Sequence, residues 1–186
     1  GVRLARLADH MFMSTEGIFG TPLGVSATYI FIFVLFGAFL ELTKGGDLFI
    51  DLALSVTGKR SGGPAKAAVI SSALMGTISG SSISNVVATG TFTIPLMKKA
   101  GYQSEFAGAV EAAASTGGQI MPPVMGAAAF MMIDYTRKPY TDIMLAAALP
   151  AVIYFVSVYI SVHLEAKKMN LKGVDEMPNI KKVMRE

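Results

Sequence analysis

Two short runs hold most of the groups in this 186-residue chain that could bind a small ion or molecule. The first is Ser79-Gly80-Ser81-Ser82-Ile83-Ser84-Asn85. The second is Ser115-Thr116-Gly117-Gly118-Gln119-Ile120-Met121-Pro122-Pro123. Both read as breaks between helical stretches, and a broken helix exposes backbone groups at its ends. A C-terminal end offers partly negative carbonyls, an N-terminal end partly positive N–H groups. Carbonyls together with Ser, Thr and Asn oxygens make a hard shell suited to Na⁺, whereas the N-terminal ends suit an anion such as a carboxylate. Glu111 is the third candidate group. A carboxylate facing lipid would cost several kcal/mol, so Glu111 must face protein or water. It is either a coupling carboxylate or, the reading we favour, a structural contact bonded to hydroxyls or backbone of a neighbouring helix.

Enzyme chemistry finds little support. There is no cysteine, hence no disulfide framework, and the two histidines, His10 and His163, lie too far apart to suggest a metal site or a Ser-His triad. The run Gly76 to Ser82 lacks the Gly-Lys-Ser/Thr ending of a phosphate loop, and Gly80-Ser81-Ser82-Ile83-Ser84 lacks the second glycine of a nucleophile elbow. An intramembrane serine hydrolase using Ser79, Ser81 or Ser82 would need a base within reach, and the only titratable group at similar depth is Glu111.

The elements that must position these groups are those of a membrane protein. The chain is 52% apolar and only 16% charged, with a mean hydropathy of +0.52; soluble domains carry about 25% charge. No charge falls in Thr21–Leu40 or in Ile143–Val162. Each stretch is about 20 residues, roughly 30 Å of helix and enough to cross a bilayer core. The net charge of +3 is better read as a record of topology than as a nucleic-acid footprint. No signal peptide is expected at an N-terminus interrupted by Arg3, Arg6 and Asp9, and a chain opening on Gly1 reads as a piece of a longer protein.

Five segments follow. Pro22–Leu42 is a spanning helix, and Asp47–Thr57 an amphipathic one with Asp47, Asp51 and Ser55 in a stripe. Ala67–Met97 is apolar but interrupted, too long for one span and too short for two. Both of its flanks are basic: Lys59, Arg60 and Lys66 before, Lys98 and Lys99 after. The positive-inside rule puts both ends in the cytoplasm, which makes the segment a re-entrant hairpin with arms of about 11 residues, roughly 17 Å, and its tip near mid-membrane. Phe106–Ile133 is a second interrupted segment, in which Pro122 forces Met121 out of helical geometry and a new half-helix is expected at Pro122 or Pro123. Ile143–Val162 spans again, before a polar tail. The first helix then runs inward to Lys44, and twelve of the sixteen Lys and Arg residues are cytoplasmic. Irregular backbone at membrane depth is tolerated only where it is buried or lines a watery cavity, the construction that secondary transporters use for their sites.

Three runs carry a family resemblance: Gly76-Thr77-Ile78-Ser79-Gly80-Ser81-Ser82-Ile83-Ser84-Asn85, then Gly90-Thr91-Phe92-Thr93-Ile94-Pro95-Leu96-Met97 with Gly101-Tyr102, and Ala112 through Gly126. Together they resemble the large membrane subunit of tripartite ATP-independent periplasmic (TRAP) transporters. Ala112–Gly126 is most similar to the fused permeases of the TAXI branch. The resemblance extends from about Gly17 to Val162.

It implies an all-α integral membrane fold: an ion-transporter-superfamily repeat with a re-entrant helical hairpin and a discontinuous transmembrane helix, the chain covering roughly the first repeat with its partner repeat missing. Residues 59–142 would form the transport part. Residues 1–58 and 143–186 would belong to the scaffold. The resemblance also implies import of an organic anion delivered by a periplasmic binding protein, by an elevator motion commonly coupled to Na⁺, in the inner membrane of a bacterial or archaeal cell. The partners would be the other half of the permease and a small membrane subunit, fused or separate.

Carried over by position, Ser79, Gly80, Ser81, Asn85, Ser115, Thr116 and Gly117 would hold Na⁺. Ser81, Ser82, Asn85, Gly118, Pro122 and Pro123 would face substrate. Where many members read Pro-Pro-Ser, this chain has Val124, which removes a hydroxyl ligand and leaves more to backbone carbonyls. No other cofactor is implied. The rivals are the serine hydrolase and a purely structural assembly subunit.

Overall fold

A computed structural model describes residues 3–14, 16–42, 45–171 and 173. Among these, regular structure is entirely helical. Helix α1 (Leu4–Met13) was not expected, because Arg3, Arg6 and Asp9 break the apolar run; they recur at helical spacing and leave Leu4, Leu7 and Met11 on one side. Gly20 precedes α2 (Thr21–Val25), whose Pro22 sits in the first turn where its missing N–H costs nothing. A π-helical turn (Ser26–Ile30) joins α2 to α3 (Phe31–Leu42), so the expected first span is helical throughout. Phe31, Ile32, Val34, Leu35, Phe36 and Phe39 on it are exposed. The amphipathic helix α4 spans Gly45–Thr57; Lys44, the Asp47 side chain and the tail beyond Gly173 lie outside the described residues.

The hairpin is the centre of the fold. Helix α5 (Gly63–Ser79) follows left-handed Gly62 (φ 70°), carries Pro64 in its first turn, and stops at left-handed Gly80 (φ 59°), whose N–H bonds the Gly76 carbonyl. Helix α6 (Ser82–Lys99) begins at once: the Ser81 hydroxyl accepts the Ser84 N–H at 3.3 Å, and Lys98 and Lys99 close the far end, where positive charge complements the helix dipole. The arms are 17 and 18 residues long, not about 11. Only Gly80 and Ser81 interrupt the polar midpoint, because Thr77, Ser79's neighbour but one, returns its hydroxyl to the Leu74 carbonyl at 2.6 Å and stays helical.

Helix α7 (Ser104–Gly117) tightens into a 3₁₀ turn (Gly118–Ile120) and ends at extended Met121. Residues 121–126 are irregular, and α8 (Ala127–Thr136) starts after Gly126, not at either proline. Two ties hold the loop open. The Gly126 N–H bonds the Gln119 carbonyl at 2.7 Å, and the Tyr140 hydroxyl lies 2.6 Å from the Pro123 carbonyl and 2.7 Å from that of Val124. Helix α9 (Tyr140–Lys168) is 29 residues long, and among the described residues it is the one helix long and apolar enough to cross a membrane by itself.

Helix α5 packs against α4, α6, α7 and α9. The contacts are built from small residues: Ala65, Ala68 and Val69 of α5 meet Ala107, Val110 and Ala114 of α7 and Val162 and Ala166 of α9, with Met97 beside them. Small side chains let helix backbones approach closely where there is little hydrophobic drive to associate. At the base, Tyr102 stacks on Phe106 at 5.5 Å. Burial, with the charge of Glu165 adding to it, pushes the Tyr102 phenol up to about 12.

Candidate functional site

The two helix breaks meet. A Cβ on Gly76 would fall 2.5 Å from the Gly118 Cα, so the last turn of α5 lies backbone to backbone on the 3₁₀ turn. One turn further on, Gly80 presses against the Met125 carbonyl, and a Cβ on Gly126 would sit 3.4 Å from the Gly80 carbonyl oxygen. Gln119 ties the breaks together by donating its side-chain N–H to the Ser82 hydroxyl at 3.0 Å.

Between them lies a cleft of about 430 Å³, with Ser79, Gly80, Ser81, Ser82, Gln119 and Gly126 on its polar side and Phe130 and Ile30 on its apolar side. The N-terminal turns of both α6 and α8 open on it, since Ser82 and Ala127 also line it. No side chain caps α8. The carbonyl end of α5 reaches the same cleft through Ser79. Partly positive N–H groups and partly negative carbonyls therefore face one small volume.

The other expected site residues stand elsewhere. Asn85 and Ser115 are fully buried behind the cleft. Asn85 donates to the Ser72 carbonyl at 2.8 Å, which fixes α6 on α5. The Thr116 hydroxyl is exposed and bonds back to Ala112 at 2.7 Å. Gly117 is pressed on α9, where a Cβ would meet the Tyr154 ring at 2.6 Å; Gly118 fits against Gly76 and Asn85. At Pro123, the carbonyl is engaged by Tyr140. The peptide bond between Pro122 and Pro123 is cis.

Glu111 sits at the junction of α6 and α7 with 1% of its surface exposed. Its Oε1 accepts from the Thr89 hydroxyl and from Ser115 at 3.3 Å. Its Oε2 accepts from Thr93 at 2.5 Å. Gly90 makes room for it, since a Cβ there would lie 3.0 Å from the Glu111 Cγ. The carboxylate bonds hydroxyls of the neighbouring helix, as the favoured reading expects, and it lies behind the cleft.

Sequence reasoning missed Gln119, which joins the two breaks, and Thr89 and Thr93, which hold Glu111. A signal was present. Asn85, Thr89 and Thr93 recur every four residues on α6, and Glu111 and Ser115 do so on α7, which places each set on one helix face. Reading polar stripes across two helices, rather than polar runs within one, would have paired them.

Residues 2–186 match the family described as "Tripartite ATP-independent periplasmic transporter, DctM component". A "C4-dicarboxylate TRAP transporter large permease protein DctM" of Vibrio cholerae is 29% identical over 171 residues, 90% of this chain and 35% of that protein. A protein of the same description from Pseudomonas aeruginosa is 28% identical over 151 residues, covering 80% of this chain and 34% of its own length. One from Rhodobacter capsulatus is 37% identical over 93 residues, 49% of this chain and 21% of that protein. The chain spans about a third of the length of the first two.

Proposed function

The chain belongs to the DctM family, the large membrane component of tripartite ATP-independent periplasmic transporters, whose members are permeases and not enzymes. From that premise we propose that it is a membrane-embedded piece of a permease that imports an organic anion, and that the cleft between the hairpin tip and the broken helix is part of its binding site. The observation that carries the reading is the convergence of the α6 and α8 N-termini with the carbonyl end of α5 on one cleft. An anionic carboxylate is stabilised at the N-termini, and Na⁺ by the carbonyl and hydroxyl oxygens of Ser79, Gly80 and Ser81. The wider set of expected ligands contributes from behind: Asn85, Ser115, Thr116, Gly117, Gly118, Pro122 and Pro123 shape the tip and the break on which the cleft depends.

Coupling follows from geometry. Na⁺ bound at the tip orders Ser79–Ser82 against the 118–126 loop. The ordered state binds the anion more tightly, and by linkage the anion raises the affinity for Na⁺ by the same factor. Glu111 has the structural role of holding α6 on α7.

The hairpin (α5–α6) enters and leaves by the cytoplasmic face and moves with α7 and α8 as the transport part, while α2–α3 and α9 belong to the scaffold in the inner membrane. The substrate arrives from a periplasmic binding protein. A second repeat and a small membrane subunit, fused or separate, complete the permease. Relatives named for C4-dicarboxylates support a carboxylate as cargo.

The test is uptake by the complete permease in proteoliposomes, supplied with its binding protein, with an inward Na⁺ gradient or with Na⁺ replaced by K⁺. Uptake that collapses without Na⁺ supports the coupling; uptake that is unchanged rules it out. Normal uptake with Ser81→Trp at normal expression would reduce the cleft to a packing seam and the chain to a structural part.

A further inference from the structure

Only residues 137–139 separate α8 from α9. Arg137 turns left-handed (φ 57°) and extended Pro139 leads into α9, so Tyr140, the first residue of α9, returns beside the break. Two contacts fix it there. Its ring stacks on that of Phe130 of α8, with centroids 4.9 Å apart and planes 4° from parallel. Its hydroxyl lies 2.6 Å from the Pro123 carbonyl oxygen and 2.7 Å from that of Val124. A phenol has one hydrogen to give, so the two successive carbonyls share it and must turn toward the same point.

That point lies outside the substrate cleft. Val124, Ala127 and Phe130 line the cleft, whereas Tyr140 does not. The hydroxyl therefore draws two partly negative oxygens away from the cleft wall just before α8 begins. The N–H groups that follow are used within the loop: that of Met125 bonds the Met121 carbonyl at 3.3 Å, and that of Gly126 the Gln119 carbonyl at 2.7 Å. This leaves the uncapped, partly positive start of α8 to face the cleft. Carbonyls at 123 and 124 that turned inward would repel an anion held there.

We propose that Tyr140 is a positioning residue of the cleft: by holding the Pro123 and Val124 carbonyls toward α9, with its ring set by Phe130, it gives this wall its preference for an anion. Tyr140 acts through the loop and not by contact with cargo. The role rests on the reading of the cleft as part of an anion site.

The test uses the full-length permease with any native cysteines replaced and Ala127→Cys introduced at the exposed first residue of α8. Its modification rates by anionic sulfonatoethyl methanethiosulfonate and by cationic trimethylammonioethyl methanethiosulfonate are compared, each normalised to the rate with free mercaptoethanol. Both reagents attack the same thiolate, so the ratio reads the local potential and not the reactivity of the thiol. Tyr140→Phe keeps the stack and removes the hydroxyl; it should lower the anionic-to-cationic ratio about 2–5-fold, the size of charge effects at helix ends. Tyr154→Phe is the control. Its hydroxyl bonds the Ala113 carbonyl at 2.7 Å, an equivalent tie on the same helix away from the cleft, and its loss should lower thermal melting without moving the ratio. Phe130→Leu withdraws the stacking ring and should shift the ratio in the same direction as Tyr140→Phe, which keeps the test decisive if Tyr140→Phe does not fold. A ratio that neither Tyr140→Phe nor Phe130→Leu moves, or one that falls equally in Tyr154→Phe, would overturn the role and leave Tyr140 a structural tie. A parent protein without preference for the anionic reagent would overturn the cleft as an anion site and this role with it, so the two failures are told apart.

Discussion

Gly76→Ala is a sharp probe of how the two breaks fit together. The added Cβ would lie 2.5 Å from the Gly118 Cα, about 1 Å inside ordinary van der Waals contact, and the obstacle is backbone that cannot rotate away. The last turn of α5 and the 3₁₀ turn must therefore separate by a comparable distance. Overpacking of this kind costs about 1–3 kcal/mol. The displacement should also break the 3.0 Å bond between Gln119 and Ser82. Gly118→Ala meets Asn85 Nδ2 at 2.9 Å and Gly76 at 3.1 Å, and Asn85 is held by Ser72, so its effect should be similar. The control is Gly108→Ala on α7, where nothing lies within 4 Å and better helix propensity stabilises by up to about 1 kcal/mol. The assay is thermal melting of the full-length permease beside substrate uptake. Lower melting and reduced uptake for Gly76→Ala and Gly118→Ala, with Gly108→Ala at or above wild type, is the expected result. If all three behaved alike, the close approach of the breaks would be refuted.

Glu111→Ala removes the acceptor for Thr89, Thr93 and Ser115 and leaves a cavity, so a loss of about 2–4 kcal/mol is expected in melting or denaturation, whereas Glu111→Gln, of the same shape, should lose less than half of that. Tyr102 has a buried hydroxyl with no hydrogen-bond partner among the described residues; Tyr102→Phe keeps the stack on Phe106 and should stabilise by about 1 kcal/mol in the same melts. Because the folded-state phenol is raised to about 12, its contribution is complete below the unfolded value near 10 and is lost as pH rises from about 10 to 12, a decline that Tyr102→Phe should lack. A double-mutant cycle on Gln119→Ala and Ser82→Ala should return a coupling of about 0.5–1.5 kcal/mol in stability, and a value near zero would mean that the bond does not hold the breaks together.

The placement of elements was legible where charge and hydrophobic pattern act alone. Basic residues at both ends of Ala67–Met97 identified a hairpin, and a serine-rich midpoint located its turn. The turn proved narrower than the composition suggested, because Ser and Thr can stay helical by returning their hydroxyls to carbonyls three or four residues back, as Thr77, Thr89 and Thr93 do. The extended geometry at Met121 was readable from Pro122, with Met121 observed at φ −81° and ψ 116°. The start of α8 was not. It depends on Tyr140, which binds the Pro123 and Val124 carbonyls from the next helix, and on Met125 in a left-handed turn (φ 53°). Helix α1 escaped notice because its charges were read as an interruption rather than a face. At the site, Ser79–Ser82 were recognisable as a break. That Asn85 and Ser115 turn inward was not, since it follows from which faces of α6 and α7 meet around Glu111.

The central claim is that the hairpin tip and the broken helix close on a single site, and it is tested most directly by cross-linking the pair Ser82→Cys and Gln119→Cys. The chain has no native cysteine, and the wild-type side chains are 3.0 Å apart. Gln119 reaches Ser82 with a side chain longer than a cysteine's, so in the full-length permease with any other cysteines replaced the account predicts rapid cross-linking by a short bis-methanethiosulfonate bridge rather than a direct disulfide, faster with Na⁺ than with K⁺, and loss of uptake that reduction restores. A pair that the bridge leaves unlinked, while Ser72→Cys with Thr89→Cys, whose wild-type hydroxyls lie 3.4 Å apart, links across the hairpin under oxidation, would contradict it.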